Sequence, residues 1–526
     1  MSDAYFHSEI AMAPPLRAAA SAPSPRFESQ AVWGARRFES ATTDRLNQSH
    51  WQYADDQSVN VWLLEQLAIV RARANYEARQ NGTVLGVINT HADDVAGPDG
   101  PTLQVLSDDE AYNSALESLW VEWFKAPTYK PNISGAQWLK LCIRSLWKNG
   151  EYIARLITDP SAEGPVTLRL KPIHPRRLAT PMDLTGDPNV FMGIRLDALG
   201  RPARYYISAA TASGAPTLAI NNPDIVPPDL LIHEFIAEEE EQLRGIPWAN
   251  TSLQPSADLR DYDDQIQDAA RQIADQSALL YTEHPDAQVW TNPESTSVER
   301  RTIKMVPPGW KPFTYPATMP PVQYPEYRGE RQREIGRPQG MPLLMIRLDS
   351  SKHNYSSARL DTQTYGRAVS GLQYWISGTE QSYGTLNRLV DAIAQEARFS
   401  DPALRRRPRV VKYKWTWPTR PHVDPAKEAL AEATSLENRT LTLTDALAAR
   451  GKSLEAHIAT LQRERDLLEE AGLPIPAWLK EEQATARDSL TKLVDEEDAA
   501  EAAAAAASEK SGSQSTNAPA KETANA

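Results

Sequence analysis

"SADLRDYDDQIQDAARQIADQSALLYTE", residues 256–283, carries two patterns at once. Leu259, Tyr262, Ile266, Ala269, Ile273 and Leu280 recur at steps of three and four, with a gap at Ser277. That spacing predicts an amphipathic helix close to a heptad repeat. From Ser256 to Thr282 it would be roughly 40 Å long at 1.5 Å per residue. The same stretch holds seven acids (Asp258, Asp261, Asp263, Asp264, Asp268, Asp275 and Glu283) against Arg260 and Arg271. A solvated acidic face accounts for them. So does a face lining something that must not stick to nucleic acid.

Upstream, the chain reads as mixed α and β. Residues 1–45 are rich in Ala, Pro and Ser and predict a flexible arm. Leu63, Leu67, Val70 and Ala74 predict a helix, with Gly82 as its stop. Ser107 with Glu110, and Ser134 with Gln137, read as capping boxes of two further helices. The first carries the stripe Tyr112, Leu116, Leu119, Trp120, Trp123, and the second ends at Gly150. The period then changes. "VTLRLKPI" (166–173) alternates as a strand does, and residues 191–208 read as a hairpin turning at Ala198–Leu199–Gly200.

Downstream, residues 284–322 hold eight prolines and short β-like pieces, "AQVW" and "RRTIKMV". "PEYRGERQREIG" predicts a shorter helix, and "GMPLLMIRLDSSKHN" an irregular loop. Tyr365, Val369, Leu372 and Ile376 open another helix, which Leu386, Leu389 and Ile393 continue or follow. "LRRRPRVVKYKWTW" (404–417) is basic and partly strand. The C-terminal third is helical, with Ser453 capping a helix through Leu454, Ile458, Leu461 and Leu468. The Ala/Glu-rich and polar tail (491–526) predicts disorder.

The totals narrow the function. The 526 residues suffice for several domains, and 41% apolar with 24% charged residues are those of a globular protein. A net charge of -13 argues against a basic nucleic-acid coat, though not against DNA sliding past. Cys142 is the only cysteine, which excludes an intramolecular disulfide and a thiolate zinc cluster. The N-terminus lacks the pattern of a secretory signal, and no apolar run approaches 18 residues, so no membrane-spanning helix is expected.

Candidate chemistry is thin. "ALAARGKS" (446–453) ends like a phosphate loop, but the position needing the first glycine is Ala446, and a short helix precedes it instead of a strand. The histidines are scattered; His233–Glu234 has no second histidine four residues on. "EEEE" (238–241) suits a charged loop better than a cation site. In "KHNYSSARL" (352–360), His353 stands before Ser356 and Ser357. A nucleophile also needs an orienting third group and an oxyanion site. Neither is visible, and Asn354, Ser356 or Ser357 read better as caps of the following helix, with Tyr355 as an anchor.

The order of these pieces carries a resemblance. "HEF" (233–235), "QLRGIPW" (242–248), "LRDYDD" (259–264), "PPGW" (307–310), "GRPQGMP" (336–342), "NYSSAR" (354–359) and "WPTRPHVDPAKEA" (417–429) follow one another at sensible spacing. Together with the 193–207 hairpin and "GKSLEAHIATLQRERDLLEEAGL" (451–473), they resemble the lambda-like portal proteins of tailed bacteriophages over residues 60–475. The family pattern often has an "A-A-G-L-G"-like run before the loop. Here it is "GRPQG", and Pro338 should shorten or kink the helix there.

The resemblance implies an α+β, multidomain portal fold in a ring of usually twelve copies. Its parts would be an N-terminal arm (1–45), a mixed α/β wing (46–255), a first stem helix (256–283), a small β-containing clip (284–322), a second stem helix (323–340), a tunnel loop (341–355), a long wing helix and wing (356–435), a helical crown (436–490) and the tail (491–526). It implies the wing–stem junction at Arg244, Gly245, Pro247 and Trp248. Asp261, Asp264, Asp268 and Asp275 would form an acidic stem face. Arg347, Lys352 and His353 would face DNA, and Asn354, Tyr355, Ser356, Ser357 and Arg359 would form a hinge and subunit contacts. It implies a non-enzymatic role in the virion, after assembly in the host cytoplasm, with no cofactor and no membrane. The partners would be further copies of the chain, the terminase large subunit, the major capsid and scaffold proteins, a head-completion connector, and double-stranded DNA held without sequence preference. The rivals are a phage-encoded serine hydrolase using Ser356 or Ser357 with His353, and another head–tail adaptor ring protein.

Overall fold

The computed structural model describes residues 45, 48–162, 164–209, 223–275, 279–281, 311–313, 321–351, 355–379, 382–418, 425–450 and 454–472. Most of the N-terminal arm, most of the proline-rich insert including "AQVW" and "RRTIKMV", Lys352, His353, Asn354, "GKS" and the tail lie outside them. The chain divides into two units, Met1–Gln57 and Ser58–Ala526. In the first, the described residues around 48–53 form turns that leave Trp51 and Tyr53 exposed.

The second unit is mixed α and β. It opens with helices α1 (Val59–Gln80) and α2 (Gly82–Ala96), strand β1 (Thr102–Leu106), and helices α3 (Glu110–Phe124) and α4 (Gly135–Asn149). Strands β2 (Tyr152–Thr158) and β3 (Leu168–Ile173) follow, then β4 (Val190–Phe191), β5 (Ile194–Leu196), β6 (Pro202–Ile207), β7 (Asp224–Val226) and β8 (Leu231–Glu234). Next come α5 (Asn250–Asp275), β9 (Leu279–Tyr281), β10 (Lys311–Phe313), α6 (Tyr324–Gly336), α7 (Leu343–Arg347), α8 (Tyr355–Ser377) and α9 (Thr385–Ala397). Strand β11 (Lys412–Thr416) and helices α10 (Pro425–Glu437), α11 (Leu443–Ala448) and α12 (Leu454–Glu470) complete it.

All the described strand pairs are antiparallel. The sheets run β3–β2–β8, β4–β5–β6–β7, β1–β11 and β9–β10. The main core joins the inward faces of α2, α3, α4, α8 and α9 with β1, β2 and β11; Trp120, Trp138, Trp147, Tyr365 and Leu389 are buried in it. A second core of Ile153, Ile173, Ile194, Tyr205 and Val226 lies between the two larger sheets.

Local signals held where capping decided them. Ser134 and Gln137 form a reciprocal capping box, and Gly150 closes α4 in the left-handed region, at φ +82°. The hairpin turns as expected, with the Asp197 carboxylate accepting from the Leu199 and Arg201 backbone N–H groups.

Other boundaries moved. The N-cap of α3 is Asp109, whose carboxylate accepts from the Tyr112 N–H at 3.1 Å; Ser107 donates instead to Asn113. Gly82 does not stop α1. Asn81 ends α1 and caps α2 at once, so Gly82 begins the second helix. The acidic helix starts at Asn250, six residues before Ser256, and accommodates Pro255. Leu280 belongs not to that helix but to β9, which pairs with β10 across the insert. The predicted irregular loop contains the short helix α7, because Met341 and Ile346 are drawn into the main core. Helix α6 ends at Gly336, and Pro338 sits in a 3-10 turn closed by Gly340 at φ +65°, as its missing N–H requires.

Candidate functional site: the junction and the helix pair it launches

The centre of the junction is Glu151, fully buried between the end of α4 and the start of β2. Three other chain segments converge on its carboxylate. Arg244 donates through Nε to Oε2 at 2.9 Å and through Nη2 to Oε1 at 2.5 Å. Arg71 of α1 donates to Oε1 at 2.8 Å, the Gly245 N–H to Oε2 at 3.1 Å, and His233 Nε2 lies 3.0 Å from Oε2. Arg244 spends its remaining N–H groups on the carbonyls of Met192 (2.8 Å), Pro175 (3.2 Å) and Leu178 (3.3 Å).

Burial alone would push the Glu151 carboxyl up. The opposed charges of Arg244 and Arg71, with the His233 hydrogen bond, outweigh that and hold it well below the usual carboxylate range. Burial lowers Arg71 to about 10 despite the attraction of Glu151. The arrangement is a fully bonded charge cluster that ties α1, β2, β8 and the 244–248 segment together.

The following residues set the exit of the chain. Gly245 and Gly150 pack backbone to backbone, and a Cβ on either would strike the other's peptide unit. Trp248 and Ala249 donate their N–H groups to the carbonyls of Leu146 and Trp147, each at 3.2 Å, which extends the clamp along the last turn of α4. The Trp248 ring lies 5.9 Å from His91 and 6.3 Å from Trp147 between centroids. The Pro247 carbonyl then accepts from the Asn250 N–H, and α5 begins. The expected junction residues Arg244, Gly245, Pro247 and Trp248 are thus brought together. Glu151, Arg71 and His233, which complete the cluster, were not foreseen.

Helix α5 runs antiparallel to α6. Ser252 donates to the Ile335 carbonyl at 2.9 Å near one end. Near the other, Tyr262 meets Tyr327 at 4.7 Å between centroids, and Asp263 accepts from the Tyr324 hydroxyl at 2.8 Å. Arg260 pairs with buried Glu77 and lies over the Tyr76 ring, fixing α5 to α1.

At about 100° per residue, Asp261, Asp264, Asp268 and Asp275 share one face, turned away from the Leu259 and Asp263 side that meets α6. Asp261, Asp264 and Asp268 are exposed; the side chain of Asp275 lies outside the described residues. Asp268 has a local partner in Arg271 at 3.0 Å.

Of the expected loop residues, Arg347 is arranged differently, while the helix start expected at 354–357 falls at Tyr355. Arg347 does not project from the loop. Its guanidinium turns back onto α6, donating to the Gln332 side chain at 2.5 Å and the Pro325 carbonyl at 3.2 Å. Tyr355, Ser356, Ser357 and Arg359 lie in the first turns of α8, with Ser357 and Arg359 exposed. The hydroxyl of Tyr365 and the amide of Gln373 tie the same helix to α2 through Asp94 and the Val95 carbonyl, both at 2.9 Å.

The 238–241 run is a turn. Its Glu239 carboxylate accepts from the Val59 N–H at 3.2 Å, and its Glu241 carbonyl from the Asn60 side chain at 2.9 Å, so the acids cap α1. Among the described residues, no group of three or more His, Cys, Asp or Glu is placed to hold a metal ion, and no helix is long and apolar enough to cross a membrane.

Comparison with known proteins gives this architecture its class. The family model "Phage portal protein, lambda family" matches residues 44–373, more than half of the chain. The chain belongs to that family of phage portal proteins. No curated protein matches it. Among solved structures it is similar to the neck of a native gene transfer agent particle computed with C12 symmetry, at 14% identity and a TM-score of 0.43, over 72% of this chain and 92% of that one. It is also similar to a HK97 family phage portal protein from Corynebacterium diphtheriae, at 16% identity and a TM-score of 0.30, over 68% of this chain and 96% of that one.

Proposed function

We propose that copies of this chain form a ring, usually of twelve, around a DNA channel at one capsid vertex. In this reading α5 and α6 are the stem, the 284–322 insert is the clip, residues 46–255 and the region from α8 to about 435 are the wing, and 436–490 is the crown. The ring nucleates head assembly with the capsid and scaffold proteins. It docks the terminase large subunit, which supplies the ATP hydrolysis, and later holds the head-tail connector. Its place is the virion, after assembly in the host cytoplasm.

One observation carries the reading furthest. The α5–α6 pair leaves a row of exposed carboxylates on the side away from its own packing partner. An acidic wall repels the phosphates of DNA, so DNA moves past it without being gripped. Lys352 and His353 supply the weak contacts with DNA in the 341–355 segment, while Arg347 holds that segment to α6. Asn354 to Ser357 form its hinge, and Arg359 makes a contact between subunits. Negative-stain microscopy of the purified chain tests the ring: particles with an axial channel are expected, and a monodisperse monomer under all conditions overturns the reading.

A further inference from the structure

The last turns of α1 and α4 meet beside the Glu151 cluster, and they crowd several cations together. Asn149, which ends α4, accepts from Arg71 Nε through its carbonyl at 2.8 Å and from Asn75 Nδ2 through its side chain at 3.2 Å. Arg79 stands one turn beyond Asn75 on the same face of α1, and Lys148 directly precedes Asn149. Arg144, one turn back along α4, donates through Nε to the Asn89 side chain of α2 at 3.1 Å. His174 is next to Pro175, whose carbonyl accepts from Arg244 within the cluster. Burial, with the charges of Arg144 and Arg79, lowers the Lys148 ammonium, and among the described residues no carboxylate offsets them. Burial lowers the partly exposed His174 imidazole to about 4, helped by Arg176, Arg71, Lys148 and Arg79. Arg79, Arg144 and Lys148 form no ion pair among the described residues. The acids at these helix ends, Glu77 and Glu151, are spent on Arg260 and on Arg71 with Arg244.

We infer that Arg79, Arg144 and Lys148 together bind a phosphate dianion, with His174 at the rim. The pull of helix C-termini on cations accounts for Arg79 and Lys148 one at a time. It does not account for like charges set against one another with no anion between them. Two guanidinium groups and an ammonium at one place suit a compact, doubly charged oxyanion. A duplex backbone spreads one charge over about 1.7 Å of axis and calls for a track of cations, which a chain of net charge -13 is poorly made to supply. The ligand is therefore inorganic phosphate, or the terminal phosphate of a nucleotide or of a DNA end. Bound there, it ties the end of α1 to the end of α4, beside the segment that launches α5. The inference does not depend on the ring reading.

The test uses the full-length chain and inorganic phosphate at fixed ionic strength. Phosphate should raise the wild-type melting temperature saturably, and chloride should not. In calorimetric titration, Arg79→Gln and Lys148→Gln should each weaken phosphate binding at least about tenfold, the loss of one charge-assisted hydrogen bond. Arg73→Gln, exposed on α1 but outside the cluster, should leave binding unchanged. Circular dichroism shows that each variant is folded, and two variants keep the test usable if one is not. Adenosine monophosphate and a short duplex with 5′-phosphates then separate the sources. Tighter binding of either than of inorganic phosphate identifies a terminal phosphate, and weaker binding a free ion. A duplex without terminal phosphates that competes as well as phosphate overturns the dianion assignment. No saturable phosphate binding by the wild type, or an equal loss in Arg73→Gln, overturns the inference and leaves the ring reading standing.

Discussion

The Arg244 guanidinium grips the Glu151 carboxylate with two of its nitrogens, at 2.9 and 2.5 Å, and points its other N–H groups at three carbonyls. It therefore joins the start of β2 to the segment that launches α5. Glu151→Ala removes the only anion in this cluster and leaves Arg71 and Arg244 buried together. That should cost about 3–5 kcal/mol, read as a lower urea midpoint. Arg244→Lys should lose most of the same stability, because an ammonium cannot fill the fork and three carbonyls at once.

The same pair sets a pH dependence. The Glu151 carboxyl is held well below its ordinary value of 4.5 in the fold, so the unfolded chain takes up the proton first as pH falls. Its contribution is fully present above about pH 4.5 and is lost as pH drops through the folded value. The urea midpoint of the wild type should fall in that acid range, by up to about 1.4 kcal/mol per pH unit from this group. In Glu151→Gln that part of the slope should vanish. An unchanged slope would show that other carboxylates govern the acid transition.

Gly245→Ala tests the close approach without touching a charge. A Cβ there meets the Gly150 backbone, which cannot rotate away as a side chain does. The expected loss is about 3 kcal/mol, at the upper end for overpacking. Gly150→Ala meets the same obstacle and adds the strain of a left-handed residue at φ +82°. A wild-type melting temperature in either variant would mean that α4 and the 244–248 segment are not in fixed register.

Sequence spacing reached as far as local physics extends. The Ser134–Gln137 box, the Gly150 cap and the hairpin at Asp197 each depend on residues within a few positions, and each was legible. The apolar stripe of α5 was legible too, though its ends were not. The helix expected from Ser256 starts at Asn250, with Pro255 inside it, while Leu280 fitted the helical step and lies in a strand. The Glu151 cluster had no spacing to read. Arg71, His233 and Arg244 stand 80, 82 and 93 residues from it, and a lone Glu after a C-cap glycine looks like any solvated residue. Pairing of β1 with β11 closes most of the chain, and no local signal announces it. Arg347 in an expected irregular loop reads as a free cation; only the placement of α6 shows that its charge is committed.

The acidic stripe gives the prediction closest to function. Asp261, Asp264 and Asp268 are exposed, so replacing all three with Asn should change stability by no more than about 0.5 kcal/mol per site. Replacing them with Lys reverses the sign of the wall that each copy contributes to the proposed channel. The assembled Lys variant should then retain linear double-stranded DNA at low salt and release it steeply as salt rises, while the wild type retains little. A gel-shift series over salt, with the Asn variant as intermediate, reads this directly. If all three proteins hold DNA alike, the stripe does not face the channel, and α5 presents another side to the axis.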